Sequence, residues 1–399
     1  MTTAQIIQQT DEHILGTYGR FPVAFTRASG ATLYDAEGKS YIDFASGIGV
    51  NSIGYANSAW TAAVAKQAET LQHVSNLYYT APGAELAAKL TERSGLAAAF
   101  FANSGAEANE GLIKLARKYS YDTFGLQNRK VVLTLENSFH GRTLATLEAT
   151  GQEKFHGPDF FPYTGAFRYV EPGSIDAVKD ACASGDVCAV LIELIQGEGG
   201  VYPLPQSYVT TLAKFCAENN LLLLIDEVQT GIGRTGKLFA YQHYGLSPDA
   251  VSFAKGIGGG LPLGGFLVSE RLRGVLTAGT HATTFGANPV CCAGANVVLD
   301  TLTDSVLAEV TRKGETVKAF VQNLNSAKLG AVRGIGLMLG IEVKAPLTHR
   351  ELVTKLLANG LVALTAGSDT LRFLPPLTVS DAELHAGLEI LAKTIQLQY

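Results

Sequence analysis

Residues 221–227 read LLLLIDE and residues 251–255 read VSFAK. Each is a short apolar run that ends in a charge, Asp226 in the first and Lys255 in the second. Apolar runs without alternation predict strands buried on both faces, as in a parallel sheet covered by helices. In an open sheet of that kind the binding crevice lies at the carboxyl ends of the strands. Asp226 and Lys255 are therefore expected to project into one crevice.

Outward from this pair the same pattern recurs. Strands are expected at Ala98–Ala102, Val131–Leu135, Ala189–Ile195, Leu221–Asp226, Ala250–Ala254 and Gly264–Val268. Helices are expected between them, among them Glu107–Tyr119, Ile175–Ala183 and Gln206–Asn219, where Val209, Leu212, Ala213 and Cys216 share a helical face. Alternation of strand and helix gives an α/β class with a mostly parallel sheet. The ends read differently. Residues 20–44 predict a strand pair with a turn at Ala36–Gly38, and long helices are expected at Pro289–Leu302 and Val306–Asn323. The expected organisation is an N-terminal segment of a smaller α+β domain (1–45), a large domain (46–287) and the rest of the small domain (288–399).

Composition narrows the function classes. Hydrophobic residues are 47% and charged residues 17%, a globular profile rather than a disordered one. The net charge is −5 with no basic block, which argues against nucleic acid or an anionic membrane as partner. No apolar run approaches the ~20 residues of a membrane span, and the N-terminus lacks a signal-peptide pattern. The five cysteines fit neither a zinc site nor a disulfide framework, so no metal and a cytoplasmic setting are expected.

One motif invites a rival reading. Residues 231–237 read GIGRTGK, close to both a dinucleotide fingerprint and a phosphate-binding P-loop. A P-loop needs a hydroxyl after its lysine, but Leu238 stands there. The helix that should follow is replaced by a stretch broken at Gly245 and Pro248. Nucleotide binding is therefore the remote alternative, and the glycine run is expected to line a site.

The chemistry is expected around Lys255. A lysine amine can bond a carbonyl cofactor, and an aspartate such as Asp226 can hold a protonated pyridine nitrogen. After the AAFFA run comes NSGAEANE (103–110), where Asn103 or Ser104 can cap a helix and Gly105 allows close backbone approach. The free N–H groups of such a helix start suit a phosphate. In SFHGRT (138–143), Phe139 can stack on a planar ring and Arg142 can clamp a carboxylate. Taken singly, each of these residues has an ordinary structural explanation; together they describe a pyridoxal phosphate site.

These stretches, with TYGRFPVAF (17–25), FASGIGVNSIGY (44–55), IQGEGG (195–200), LLIDEVQTGIGRTG (223–236), AKGIGGGLPLG (254–264), HATTFGANP (281–289) and LRFLPPL (371–377), resemble the class III, fold-type-I pyridoxal-phosphate aminotransferases over nearly the full length. The resemblance implies that Lys255 bonds the cofactor and then shuttles the proton. It assigns Asp226 to the pyridine nitrogen, Gln229 to the phenolic oxygen, Gly105 and Ala106 to the phosphate, and Phe139 to the ring face. Thr284 should reach the phosphate of the other subunit of a homodimer, with Thr283 near substrate. Arg142 should hold the distal carboxylate of the substrate, and Tyr18 should line the same pocket. Two departures stand out: Leu194 where the family often has proline, and Tyr55–Ser58 in place of an H-x-H-P pattern.

Within the family the resemblance is to enzymes that transaminate the terminal amine of N2-acetylornithine with 2-oxoglutarate in arginine synthesis. Succinylornithine, ornithine, 4-aminobutyrate or a lysine-pathway semialdehyde are alternative substrates, and a mutase or decarboxylase is the alternative reaction class. Such a site must take glutamate, which carries a carboxylate on its reacting carbon, and acetylornithine, which does not. Arg372 resembles the arginine for that carboxylate, and Glu198 is expected to pair with it when the carboxylate is missing, since an unpaired buried guanidinium is costly.

Overall fold

The computed structural model describes residues 1–125, 129–160 and 162–396. Its centre is a seven-stranded sheet. From one edge the strands are Ala98–Ala102, Gly264–Val268, Ala250–Phe253, Leu222–Asp226, Val187–Ile192, Val131–Leu135 and Phe167–Val170. Gly264–Val268 is antiparallel to both neighbours, and the other pairings are parallel. The three strands Val131–Leu135, Val187–Ile192 and Leu222–Asp226 are buried at every position. That explains their unbroken apolar runs: helices Gly105–Phe124, Ile175–Cys182 and Gln206–Glu218 help to cover the sheet, so neither face meets water.

Element boundaries fall within a few residues of expectation. The edge strand Phe167–Val170 (FRYV) was not anticipated, because its outer residues Arg168 and Tyr169 break the apolar run. The N-terminal expectation needs correction. Residues 20–44 hold three strands, Phe25–Ser29, Thr32–Asp35 and Ser40–Asp43, so the turn at Ala36–Gly38 joins the second to the third. Asp35 builds this turn by accepting from the backbone N–H groups of Glu37 and Lys39. The late strand Leu361–Val362 pairs with Ser40–Asp43 in parallel, which joins early and late chain in one sheet. A second late sheet is formed by Leu329–Ile335, Met338–Val343, Thr370–Phe373 and Leu364–Ala366. The helix Thr3–His13 precedes these, and Pro289–Thr301 and Asp304–Asn323 follow the large sheet. We propose 1–45 with 288–399 as one unit and 46–287 as the other; residues 397–399 lie outside the described residues. Among the described residues no single helix is long and apolar enough to cross a membrane.

Candidate active site

Five strands end at the same edge of the large sheet, and each delivers chemistry there. Leu222–Asp226 ends in Asp226 itself. Ala250–Phe253 stops two residues before Lys255, which opens the short helical turn Lys255–Gly258 rather than closing the strand. Val131–Leu135 leads to Phe139 and His140, Val187–Ile192 to Glu193 and Glu198, and Ala98–Ala102 to the helix that starts at Gly105. A cavity of about 470 Å³ lies at this edge, with Lys255, Asp226, Gln229, Phe139, Arg142, Gly105, Ala106 and Glu198 on its wall.

Lys255 has a φ of 43°, in the left-handed region that L-residues avoid. Strain of this kind persists where the surroundings impose it, often at functional positions. Burial pushes the Lys255 amine below the usual lysine range, against the pull of Glu198, Asp226 and Glu193. A depressed amine is easier to deprotonate and so better suited to act as nucleophile or base.

Asp226 is buried, and burial alone would raise its pKa. Its neighbours reverse that. Oδ2 accepts from Asn109 Nδ2 at 2.7 Å and lies 2.7 Å from His140 Nδ1, while Oδ1 accepts from the Val228 N–H at 3.0 Å. The carboxyl is held below the usual aspartate range, chiefly by His140. Asn109, His140 and Glu193 were missed from sequence alone. Asn109 lies one helical turn beyond Gly105, so a turn-by-turn reading of NSGAEANE could have found it. His140 sits beside Phe139 in the same motif, but its role shows only when the ends of Val131–Leu135 and Leu222–Asp226, two strands apart in the sheet, come together at one edge. Glu193 accepts from the Phe139 N–H, and burial raises its pKa.

The helix Gly105–Phe124 is capped by Ser104, whose Oγ accepts from Glu107 N–H. Its first N–H groups have no helical acceptors, and Gly105 and Ala106 stand on the cavity wall. A Cβ on Gly105 would meet Val228 at 2.6 Å, so the backbone lies closer to its neighbour than any side chain allows. An anion-accepting helix start and a buried carboxylate therefore share one cavity with an aromatic ring and a depressed lysine. These residues fit pyridoxal phosphate.

Arg372 is 2% exposed and stands behind the wall rather than on it. Its Nη1 donates to Glu198 Oε1 at 2.6 Å, Gln229 Oε1 at 3.1 Å and Gly197 O at 3.2 Å; Nη2 donates to Glu198 Oε2 at 3.2 Å. Burial would raise the Glu198 carboxyl, but Arg372 and Lys255 bring it below the usual range. The guanidinium and carboxylate are thus paired in this state. Gln229, expected only at the cofactor, also donates to Glu198 at 3.2 Å.

Tyr18, Thr283 and Thr284 lie outside the cavity wall. Tyr18 is exposed and lines a neighbouring hollow that shares Arg142. Arg142 rests over the Phe155 ring, 4.2 Å from its centroid. Thr283 Oγ1 accepts from Asn103 at 3.2 Å, at the rim. Thr284 is exposed and is not among the cavity-wall residues of its own chain. The GIGRTG run also departs from expectation: residues 231–236 are buried and line no part of the cavity. The helical turn after it is only Ala240–Gln242, which cannot supply the helix start a bound nucleotide needs.

A family model described as aminotransferase class-III matches residues 16–395. An acetylornithine aminotransferase of Haemophilus ducreyi is 47% identical over 99% of both chains. Among solved structures, an ornithine aminotransferase from Toxoplasma gondii superposes with a TM-score of 0.94 at 27% identity, covering 99% of this chain and 95% of that one. An N-acetylornithine aminotransferase from Stenotrophomonas maltophilia gives 0.84 at 33% identity over 98% of each chain.

Proposed function

The chain belongs to the class-III aminotransferases, and we propose that within this pyridoxal-phosphate-dependent class it moves the terminal amino group of N2-acetyl-L-ornithine to 2-oxoglutarate. The products are N-acetyl-L-glutamate 5-semialdehyde and L-glutamate. The observation that carries this reading is the closed ion pair between Arg372 and Glu198 beside Lys255. An arginine satisfied by the protein's own carboxylate lets an amine without a carboxylate on its reacting carbon bind without stranding a buried charge.

Bound pyridoxal phosphate supplies the aldehyde that carries the amino group between substrates and the ring that withdraws electrons from the reacting carbon. Gly105 and Ala106 would hold its phosphate from the helix start, Phe139 would pack on the ring, and Gln229 would meet the phenolic oxygen. Asp226, kept anionic by His140 and Asn109, would hold a proton on the ring nitrogen. Lys255 would bond the cofactor at rest and would move the proton at the reacting carbon during turnover. Arg142 would take the distal carboxylate of either substrate, with Tyr18 beside it in the adjoining hollow and Thr283 near the substrate. For glutamate, Glu198 withdraws and Arg372 takes the carboxylate on the reacting carbon.

The test of substrate is kcat/KM with 2-oxoglutarate over acetylornithine, succinylornithine, ornithine and 4-aminobutyrate. Acetylornithine is expected to lead; preference for another donor, or turnover without a keto acid, contradicts the reading. Glu198→Ala tests the switch. It leaves Arg372 unpaired whenever acetylornithine is bound, a penalty of about 1–3 kcal/mol. The acetylornithine half-reaction should slow about tenfold to a hundredfold more than the glutamate half-reaction. Equal slowing of both halves, measured by stopped flow, contradicts the switch.

We also read the enzyme as a homodimer with shared sites. Leu77, Tyr78, Tyr79 and Phe285 are exposed apolar side chains, and Asn76 donates to the carbonyls of Thr283 and Gly286 in this same region. Such a patch calls for a partner surface, and Thr284 beside it would reach the other subunit's phosphate. Sedimentation should show a dimer that pyridoxal phosphate stabilises by linkage; a fully active monomer would refute the shared site.

A further inference from the structure

The GIGRTG loop is left without a role by the cavity, yet its centre is built at a cost. Arg234 is 2% exposed, and burial pushes its guanidinium down to about 9 against the opposing charge of buried Asp43. Among the described residues the two form no ion pair, and Arg234 Nη2 has no hydrogen-bond partner. A buried charge held this way is poor economy as packing, where an apolar chain serves better.

Its contacts show what it holds. Nη1 donates to Pro375 O at 2.6 Å and to Leu337 O at 3.0 Å, and the Leu337 N–H donates back to Arg234 O at 3.0 Å. Leu337 leads into strand Met338–Val343, and Pro375 follows strand Thr370–Phe373. These strands are antiparallel partners, with Leu339 opposite Phe373 and Gly340 opposite Arg372. One guanidinium therefore ties together the entry of one strand and the exit of the other, at the end nearest Arg372. The contact is close along the backbone as well: Gly336 has φ +58°, and a Cβ there would meet the Thr235 carbonyl carbon at 2.6 Å. The same loop carries Gln229, whose Oε1 accepts from Arg372 itself.

We propose that Arg234 is a positioning residue that fixes the strand pair bearing Arg372, and so sets where that guanidinium stands between Glu198 and an incoming carboxylate. The inference rests on the reading of Arg372 as the carboxylate site. It predicts selectivity: a displaced Arg372 harms substrates that need its fork and spares the donor that does not.

The experiment uses the holoenzyme with Arg234→Gln, Arg234→Lys and, as control, Arg372→Ala. Both half-reactions are followed by stopped flow, and KM for 2-oxoglutarate is compared with KM for acetylornithine. Losing charged hydrogen bonds to two carbonyls is expected to weaken the glutamate and 2-oxoglutarate half at least about tenfold more than the acetylornithine half. Lysine, which keeps the charge and can reach one carbonyl, should restore part of the loss. If Arg234→Gln does not fold, Arg234→Lys carries the test with the same selective loss in smaller measure. Equal loss in both halves, or none, while Arg372→Ala stays selective, overturns the role of Arg234. An unselective Arg372→Ala overturns the Arg372 reading and this inference with it.

Discussion

Asp226→Asn is expected to keep the cofactor bound and to slow the chemical step by about a hundredfold to a thousandfold, the scale of losing one preorganised electrostatic contact to the transition state. The change is nearly isosteric, so its effect comes from charge and hydrogen-bond direction. In the native site four polar groups aim donors at this carboxylate: Asn109 Nδ2, His140 Nδ1, the Val228 N–H and, at 3.4 Å, the Ser252 hydroxyl. An asparagine turns one oxygen into a donor facing donors, and it removes the negative charge that holds a proton on the ring nitrogen. A neutral ring withdraws electrons weakly, so the reacting carbon loses its proton slowly. Single-turnover absorbance with acetylornithine is the measurement, and a wild-type rate would contradict the assignment. His140→Ala should reproduce part of the defect, because His140 is the main group that keeps Asp226 anionic.

Lys255→Ala should lose at least about a thousandfold in turnover, since it removes both a covalent nucleophile and a positioned base. The protein should still fold. Lys255 carries a desolvation penalty as an ammonium, and its left-handed backbone is set by the surrounding turn. Small primary amines added to the alanine variant should return a measurable fraction of the rate, because they can enter the cavity and accept the proton the lysine accepted. A variant that keeps more than about a tenth of wild-type turnover would remove Lys255 from the mechanism, since general-base loss alone is worth about a hundredfold or more.

The large sheet was legible because its central strands are buried on both faces, and such strands can only be apolar runs. Leu222–Asp226 and Val187–Ile192 show this directly. Phe167–Val170 was not legible, because Arg168 and Tyr169 in its middle are not buried and leave neither an apolar run nor an alternation. The division of residues 25–35 into two strands ahead of Ala36–Gly38 was missed because one visible turn fixes only that the chain reverses there, not how many strands a meander holds. Within the site, residues that close a motif were readable: Lys255, Asp226 and Gly105 carry chemistry or a backbone constraint of their own. Residues that act through a neighbour were not. Asn109 and His140 matter because they converge on Asp226 from a helix and a loop far apart in the chain. Arg372 shows the same divide. Its pairing with Glu198 was foreseen, but its contact with Gln229 and its support by Arg234 depend on how one buried loop meets a distant strand pair.

The central claim is that Lys255 is the residue that bonds pyridoxal phosphate in this cavity. Purified protein reduced with borohydride in the presence of the cofactor, then digested and mapped by mass spectrometry, tests it most directly. The account predicts one stable pyridoxyl label per chain, on the peptide that contains Lys255; a label on another lysine, or none, would contradict it.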